Sequence, residues 1–324
     1  MPIGILQKII VCMFACLALS TQAQTWPTKP VHIVVAFAAG GPVDTMARTF
    51  AGYFGQAWGQ PVVVDNRPGT GGHIGAEAVA NAAPDGLTLL MTSSGQATGP
   101  ALYRKLNYDP VHDLAAVSML IAAPSIFVTN PNMPAKSIKE LIALAKSQPG
   151  KINYGSSGVG SGPHLSMEFF KVLTGTDMVH VPFKGDAQLY PALFSNDVQL
   201  AIIAPQTGIA HIKAGRLRAI AVTGAQRFWS LPDTPGMIES GLQGFDYRPW
   251  VGIFAPAKTP RDIINRVNAE CIKVLGIQEM VEKHLRNWGV DGTPGTPEAF
   301  AERYLTEIEM YKRIVREAQI PQIE

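Results

Sequence analysis

Cysteine is scarce in this 324-residue chain, and its placement excludes most of what cysteine usually does. Of three cysteines, Cys12 and Cys16 fall in or beside an apolar N-terminal stretch, which leaves Cys271 alone in the remainder. One thiol cannot close an internal disulfide, so the fold must be held by its core. Cys271 lies beside Ile272 on a helical pattern and reads as buried and inert. The seven histidines show no H-x-H or H-x-x-x-H spacing, so no metal site is expected. Charge is sparse as well. Only 16% of residues are charged and the formal net charge is +2, so there is no basic field for nucleic acid or an anionic membrane. Long apolar runs are missing beyond the N-terminus. The run over residues 9–19 is about half of the ~20 residues that span a bilayer.

What is present at the N-terminus has a different reading. Lys8 gives a short charged region, the apolar run follows, and Thr21 and Ala23 put small residues at −3 and −1 of a cut after Ala23. This pattern predicts a secretory signal over residues 1–23 and a periplasmic mature protein. Met13-Phe14-Ala15 before Cys16 is a poor lipobox, so release is expected rather than lipid anchoring. About 300 mature residues suffice for two domains, each with its own core. The 47% hydrophobic content fits a globular chain, and the 31 glycines and 25 prolines punctuate it without forming tracts.

Strand-like apolar runs alternate with amphipathic helical stretches. Residues 31–37 read as a buried strand and 38–43 as a glycine turn. A helix then runs from Asp44, with Met46, Ala47, Phe50, Ala51 and Phe54 on one face. Strands over 61–65 and 87–92 and a helix over 74–83 follow. This order implies a mainly parallel sheet covered by helices. A second unit starts near 126–129. Ser137-Ile138-Lys139-Glu140 is a capping box, strands follow at 152–154, 179–183, 198–204 and 217–223, and Gly215 ends a helix over 206–214. Residues 250–255 read as one more strand. Thr259-Pro260 and Thr296-Pro297 then open helices. The C-terminal part has no sheet of its own, so it is expected to pack back on the first unit. Domain 1 becomes 24–126 plus 251–324 and domain 2 becomes 127–250, with a hinge at crossings near 125–128 and 247–252. No internal repeat is evident.

Three polar, glycine-rich loops each follow a strand and precede a helix. They are Ala38-Ala39-Gly40-Gly41-Pro42-Val43-Asp44, Thr92-Ser93-Ser94-Gly95-Gln96 and the run from Gly155 to Gly162, with His164 just beyond. Ligands of open α/β sheets bind at the carboxyl ends of strands, where helix N-termini offer unpaired N–H groups to an anion. Each loop alone is equally readable as an ordinary strand-to-helix turn. Their distribution over both domains favours a shared cleft. Rival motifs fail on spacing. Gly69-Thr70-Gly71-Gly72-His73-Ile74 lacks the third glycine of a dinucleotide fingerprint. Gly155-Ser156-Ser157-Gly158 is not a nucleophile elbow, and no glycine run carries a P-loop lysine. His180, inside an apolar strand, reads as a hydrogen-bonded core residue.

A set of ordered motifs resembles one known family. Trp26-Pro27-Thr28-Lys29-Pro30, Val62-Val63-Val64-Asp65-Asn66-Arg67-Pro68-Gly69, Gly72-His73-Ile74-Gly75-Ala76-Glu77 and Ala83-Pro84-Asp85-Gly86 are similar to the Bug receptors of tripartite tricarboxylate transporters. So are Leu106-Asn107-Tyr108-Asp109-Pro110, Lys151-Ile152-Asn153-Tyr154, His180-Val181-Pro182-Phe183-Lys184-Gly185 and His211-Ile212-Lys213-Ala214-Gly215. The resemblance spans the mature chain. It implies an α/β, type II-like periplasmic binding protein of two domains, with a small carboxylate enclosed between them and a membrane transporter as partner. A monomer without cofactor or catalysis is expected. A sensor-kinase partner, or an enzyme on the same fold, is the alternative output.

The resemblance also implies a ligand site. The expected residues are Phe37, Ala39, Gly40, Gly41 and Asp44 of the first loop and Ser93, Ser94 and Gln96 of the second. Ser156, Ser157, Gly158 and His164 come from the third, with Lys184, Gly185 and Arg248 beyond it. The first loop departs from the family's Pro-Pro-Gly-Gly-Gly-Thr-Asp: Pro42 removes an N–H and Val43 a hydroxyl. Arg248, where a small polar residue is usual, either clamps a second carboxylate or is a solvated surface arginine. Lys184 is its rival for that role.

Overall fold

The computed structural model describes residues 26–323; the expected signal segment, with Cys12 and Cys16, lies outside the described residues. The first sheet contains β1 (Val31–Val35), β2 (Val62–Asn66), β3 (Thr88–Ser93), β4 (Leu114–Ala122) and β10 (Trp250–Pro256), in the order β2-β1-β3-β10-β4. β1 pairs in parallel with β2 and β3, while β10 runs antiparallel between β3 and β4. Both faces are covered, so alternate residues of one strand feed two cores. Val31, Ile33 and Val35 join the core beside α1 (Pro42–Trp58), and Val34 and Ala36 join the other. Val251 and Ile253 of β10 split from Trp250 and Phe254 in the same way.

The second sheet holds β5 (Ile126–Thr129), β6 (Asn153–Ser156), β7 (Val179–Pro182), β8 (Leu200–Ile203) and β9 (Arg218–Val222), in the order β7-β6-β8-β5-β9. β6 pairs in parallel with β7 and β8, and β5 is antiparallel to β8 and β9. Each sheet therefore places one antiparallel strand fourth in its order, and that strand follows a crossing between the two units. The sequence carries no visible repeat, yet the topology repeats. Strand order is set by loop length and apolar period, which unrelated residues satisfy equally well.

Helices flank both sheets: α2 (His73–Ala80), α3 (Ile138–Ser147), α4 (Gly162–Thr174), α5 (Asp186–Ser195), α6 (Pro205–Lys213), α7 (Arg261–Leu275) and α8 (Pro297–Glu317). Their starts follow local chemistry. Ser137 accepts from the Glu140 N–H, and Glu140 Oε2 accepts from the Lys136 N–H at 2.7 Å. Thr296 accepts from the Ala299 N–H, with Pro297 in the first turn. At α7 the cap shifts by one residue to Pro260. β4 is a strand the sequence reading did not single out. Its alternation is blurred because Leu114-Ala115-Ala116 opens it with small residues. No helix among the described residues is long and apolar enough to cross a membrane.

The crossings between sheets, 123–125 and 247–249, are tied to each other. The Ala123 N–H donates to Pro249 O at 3.1 Å. Thr223, fully buried, accepts from the Ser125 N–H at 2.7 Å and donates to Tyr247 O at 2.5 Å.

Candidate ligand-binding cleft

A cavity of about 540 Å³ lies where the carboxyl ends of β1 and β3 meet those of β6 and β8. A larger groove of about 810 Å³, beside α7, is lined mainly by apolar residues such as Ile272, Leu275 and Leu285 and gathers few polar groups. The smaller cavity is the better ligand site, because converging polar groups fix a ligand's orientation.

Phe37 and Gly41 line it from the first loop, Ser93 and Ser94 from the second, Ser157 and Gly158 from the third, and Gly185 from the turn before α5. Seven expected residues are thus brought together from four separate loops. The Ser93 and Ser157 hydroxyls make no hydrogen bond to another described residue, so they are open to a ligand. α1 begins at Pro42 with Gly41 as its cap and no side-chain capping bond, which leaves the Val43 and Asp44 N–H groups of its first turn aimed outward.

The other expected residues shape the cleft from behind. Asp44 is 2% exposed and accepts from the Gly40 N–H at 2.8 Å, Arg48 at 3.0 Å and Asn66 at 2.9 Å. Burial works against its charge, but the Arg48 guanidinium, the Gly40 N–H and the Asn66 amide hold its pKa below the ordinary value. Asn66 also donates to Phe37 O at 3.1 Å, so Asp44 and Asn66 clamp the loop that carries Phe37, Ala39 and Gly40. Gln96 donates to the Tyr108 hydroxyl at 2.5 Å, and Tyr108 contacts His73 Nδ1 at 2.7 Å. Gly99 has no side chain because a Cβ there would stand 2.1 Å from His73 Cε1. Ser156 contacts His180 Nε2 at 2.7 Å. His164 accepts from the Gly160 N–H at 3.2 Å and stacks on His180 with 4.0 Å between ring centres. Burial pushes the pKa of His73, His164 and His180 down to about 4, so all three are neutral at physiological pH.

The family model for the tripartite tricarboxylate transporter family receptor matches residues 46–320. The chain belongs to this receptor family. Protein BugT of Bordetella pertussis is 35% identical over 305 residues, 94% of this chain and 93% of BugT. A second relative, the UPF0065 protein of the tcbD-tcbE intergenic region of Pseudomonas sp. strain P51, is 33% identical over 93% of this chain and 90% of its own. Among solved structures, R. palustris Rpa4515 with adipate is 33% identical and superposes with a TM-score of 0.83, covering 92% of this chain and 100% of that one. MatC from Rhodopseudomonas palustris with bound malate is 30% identical with a TM-score of 0.79, covering 90% and 100%. The two-domain periplasmic binding protein fold follows.

Besides the expected residues that stand behind the wall, Arg248 and Lys184 are also absent from the cavity lining. Arg248 pairs with Asp246 at 2.8 and 3.0 Å and borders a separate groove beside Arg303 and Glu307. Asp246 stands two residues before it, so the neighbouring acid captures the guanidinium locally. Lys184 is exposed, and only its backbone N–H has a partner, Gln188 Oε1 at 3.2 Å. The sequence reading also missed wall residues. Tyr247 lines the cavity, and its hydroxyl lies near Ser94 of the first unit and Ser166 of the second. It fits because Gly162 opposite has no side chain: a Cβ there would stand 2.2 Å from that hydroxyl. Ser125, Thr98, Tyr103 and Asp186 complete the polar wall. Only the position of Tyr247 beside the expected second crossing gave any hint of this.

Proposed function

We propose that this receptor captures a small carboxylate in the cleft between its two domains and delivers it to a tripartite tricarboxylate-type membrane transporter. One observation carries the reading: hydroxyls and helix-start N–H groups from both sheets converge on a single cavity of about 540 Å³. That volume suits a small ligand. The carboxylates named for Rpa4515 and MatC support the ligand class. The division into 24–126 plus 251–324 and 127–250 is supported by the place of β10 in the first sheet. A binding role without catalysis is supported by the one Ser–His contact near the cleft. Ser156 is fully buried behind the wall, and a histidine with a pKa of about 4 is a weak base.

The test starts with native mass spectrometry of the mature protein, to identify a co-purified acid. Calorimetry with that acid and its amide follows. Charge-assisted hydrogen bonds contribute about 1.5–3 kcal/mol each, so amidation is expected to weaken binding by at least about tenfold. Equal affinity for acid and amide would overturn the carboxylate reading.

A further inference from the structure

The cavity wall carries one formally charged side chain, and it is negative. Among the described residues no Lys, Arg or His lines the cavity, and Asp186 is its one acid. This residue opens α5 directly after Gly185 and is half-buried. The Thr207 hydroxyl, in the first turn of α6, stands near it and donates to Ala204 O at 3.4 Å. Thr207 in turn accepts from the Tyr190 hydroxyl at 2.6 Å. Among the described residues no Lys, Arg or His forms an ion pair with this carboxylate, and no cation shares the cavity wall with it. Burial raises its pKa, and the nearby Thr207 hydroxyl offsets this only in part.

The loops of the first sheet offer neutral donors: Ser93, Ser94 and the opening turn of α1. An anionic end fits there. A ligand lying across the cleft would bring its other end toward the wall that carries Asp186. A second carboxylate in that position would set like charges together in a cavity of low dielectric. A protonated amine would instead form a charge-assisted hydrogen bond with the acid.

We propose that Asp186 makes this cleft select carboxylates that bear a protonated amine at their far end over dicarboxylates of the same length. The proposal rests on the carboxylate reading above and deepens it.

Calorimetric titration of the mature protein and of Asp186→Asn tests it. The ligands are butyrate, 4-hydroxybutyrate, 4-aminobutyrate and succinate, followed by the matching five- and six-carbon sets. The wild type is expected to bind the best amino acid of the panel about tenfold to 100-fold tighter than its matched monoacid, hydroxy acid and diacid. Asp186→Asn should remove that preference and strengthen the diacid relative to its matched monoacid. A wild type that prefers the diacid, or binds amino and hydroxy acids equally, overturns the proposal, and this comparison needs no folded variant. An Asn variant that keeps the amine preference overturns it too. Monoacid binding without amine preference sinks the role of Asp186 alone. Binding of none of the carboxylates sinks the carboxylate reading together with it.

Discussion

Asp44 shows how a single side chain can shape a site without lining its cavity. Its carboxylate ties together the Gly40 N–H, Arg48 and Asn66. Asp44→Ala is therefore expected to cost about 1–3 kcal/mol in urea denaturation and to weaken ligand binding through the loosened first loop. Its folded pKa lies below its ordinary value of 3.8. The stabilisation is thus present above that value and is lost as pH falls through the lowered one. The buried histidines act at higher pH and through the opposite charge state. His73 and His164 are 2% and 5% exposed and neutral, with pKa values near 4 in the fold. Below about pH 6.5 the unfolded chain takes up protons that the folded chain refuses. Stability should fall by about 2–3 kcal/mol for each between pH 7 and pH 4.5. Denaturation at both pH values checks this, and His73→Gln should remove one share.

At the scale of elements, the two crossings behave as one unit because Thr223 staples them. The residue ends β9, yet its hydroxyl serves Ser125 on the first crossing and Tyr247 on the second. Thr223→Val keeps the shape and removes both bonds. It should cost about 1–3 kcal/mol, because a buried N–H and a buried carbonyl lose their partner. Melting curves measure that loss, and hydrogen exchange should show faster exchange at Ser125. An unchanged exchange rate there would mean that other contacts hold the crossings together. Helix starts were legible from local residues, as at Ser137 and Thr296, since a cap involves groups within one turn. The start of α1 differed by two residues from the expected Asp44, because Pro42 already fits the first turn.

The whole molecule couples two sheets around one cavity, and Tyr247 touches both. A ligand that contacts both walls favours the closed arrangement by its differential affinity for that arrangement. Saturating carboxylate should decrease the radius of gyration in solution scattering and raise the melting temperature, by an amount that grows with ligand concentration. Unchanged scattering at saturation would show binding without domain closure. The Trp229 Nε1–H bond to Asp291 Oδ2, at 2.6 Å, links β9's C-terminal loop to the segment before α8. It stands away from the cleft, on the groove beside α7, and Asp291→Asn should leave ligand affinity unchanged.

The sequence alone determined the family, the alternation of strands and helices, and the loops that meet at the cleft, because each depends on residues close together in the chain. Apolar period, caps and glycine turns are local physics. Tertiary structure decided which side chains of those loops face the cavity. Asp44, Gln96, Ser156 and His164 sit in or just beyond polar loops yet turn inward, against residues distant in sequence: Asn66, Tyr108 and His180. Arg248 is readable from the sequence either as a ligand clamp or as a surface arginine, and the folded geometry decides by placing its guanidinium on Asp246. Asp186 carries no distinguishing signal in the sequence. Its meaning depends on the absence of a cation among the described residues that line the cavity, and that lining exists only when four loops from two sheets have been brought together in space.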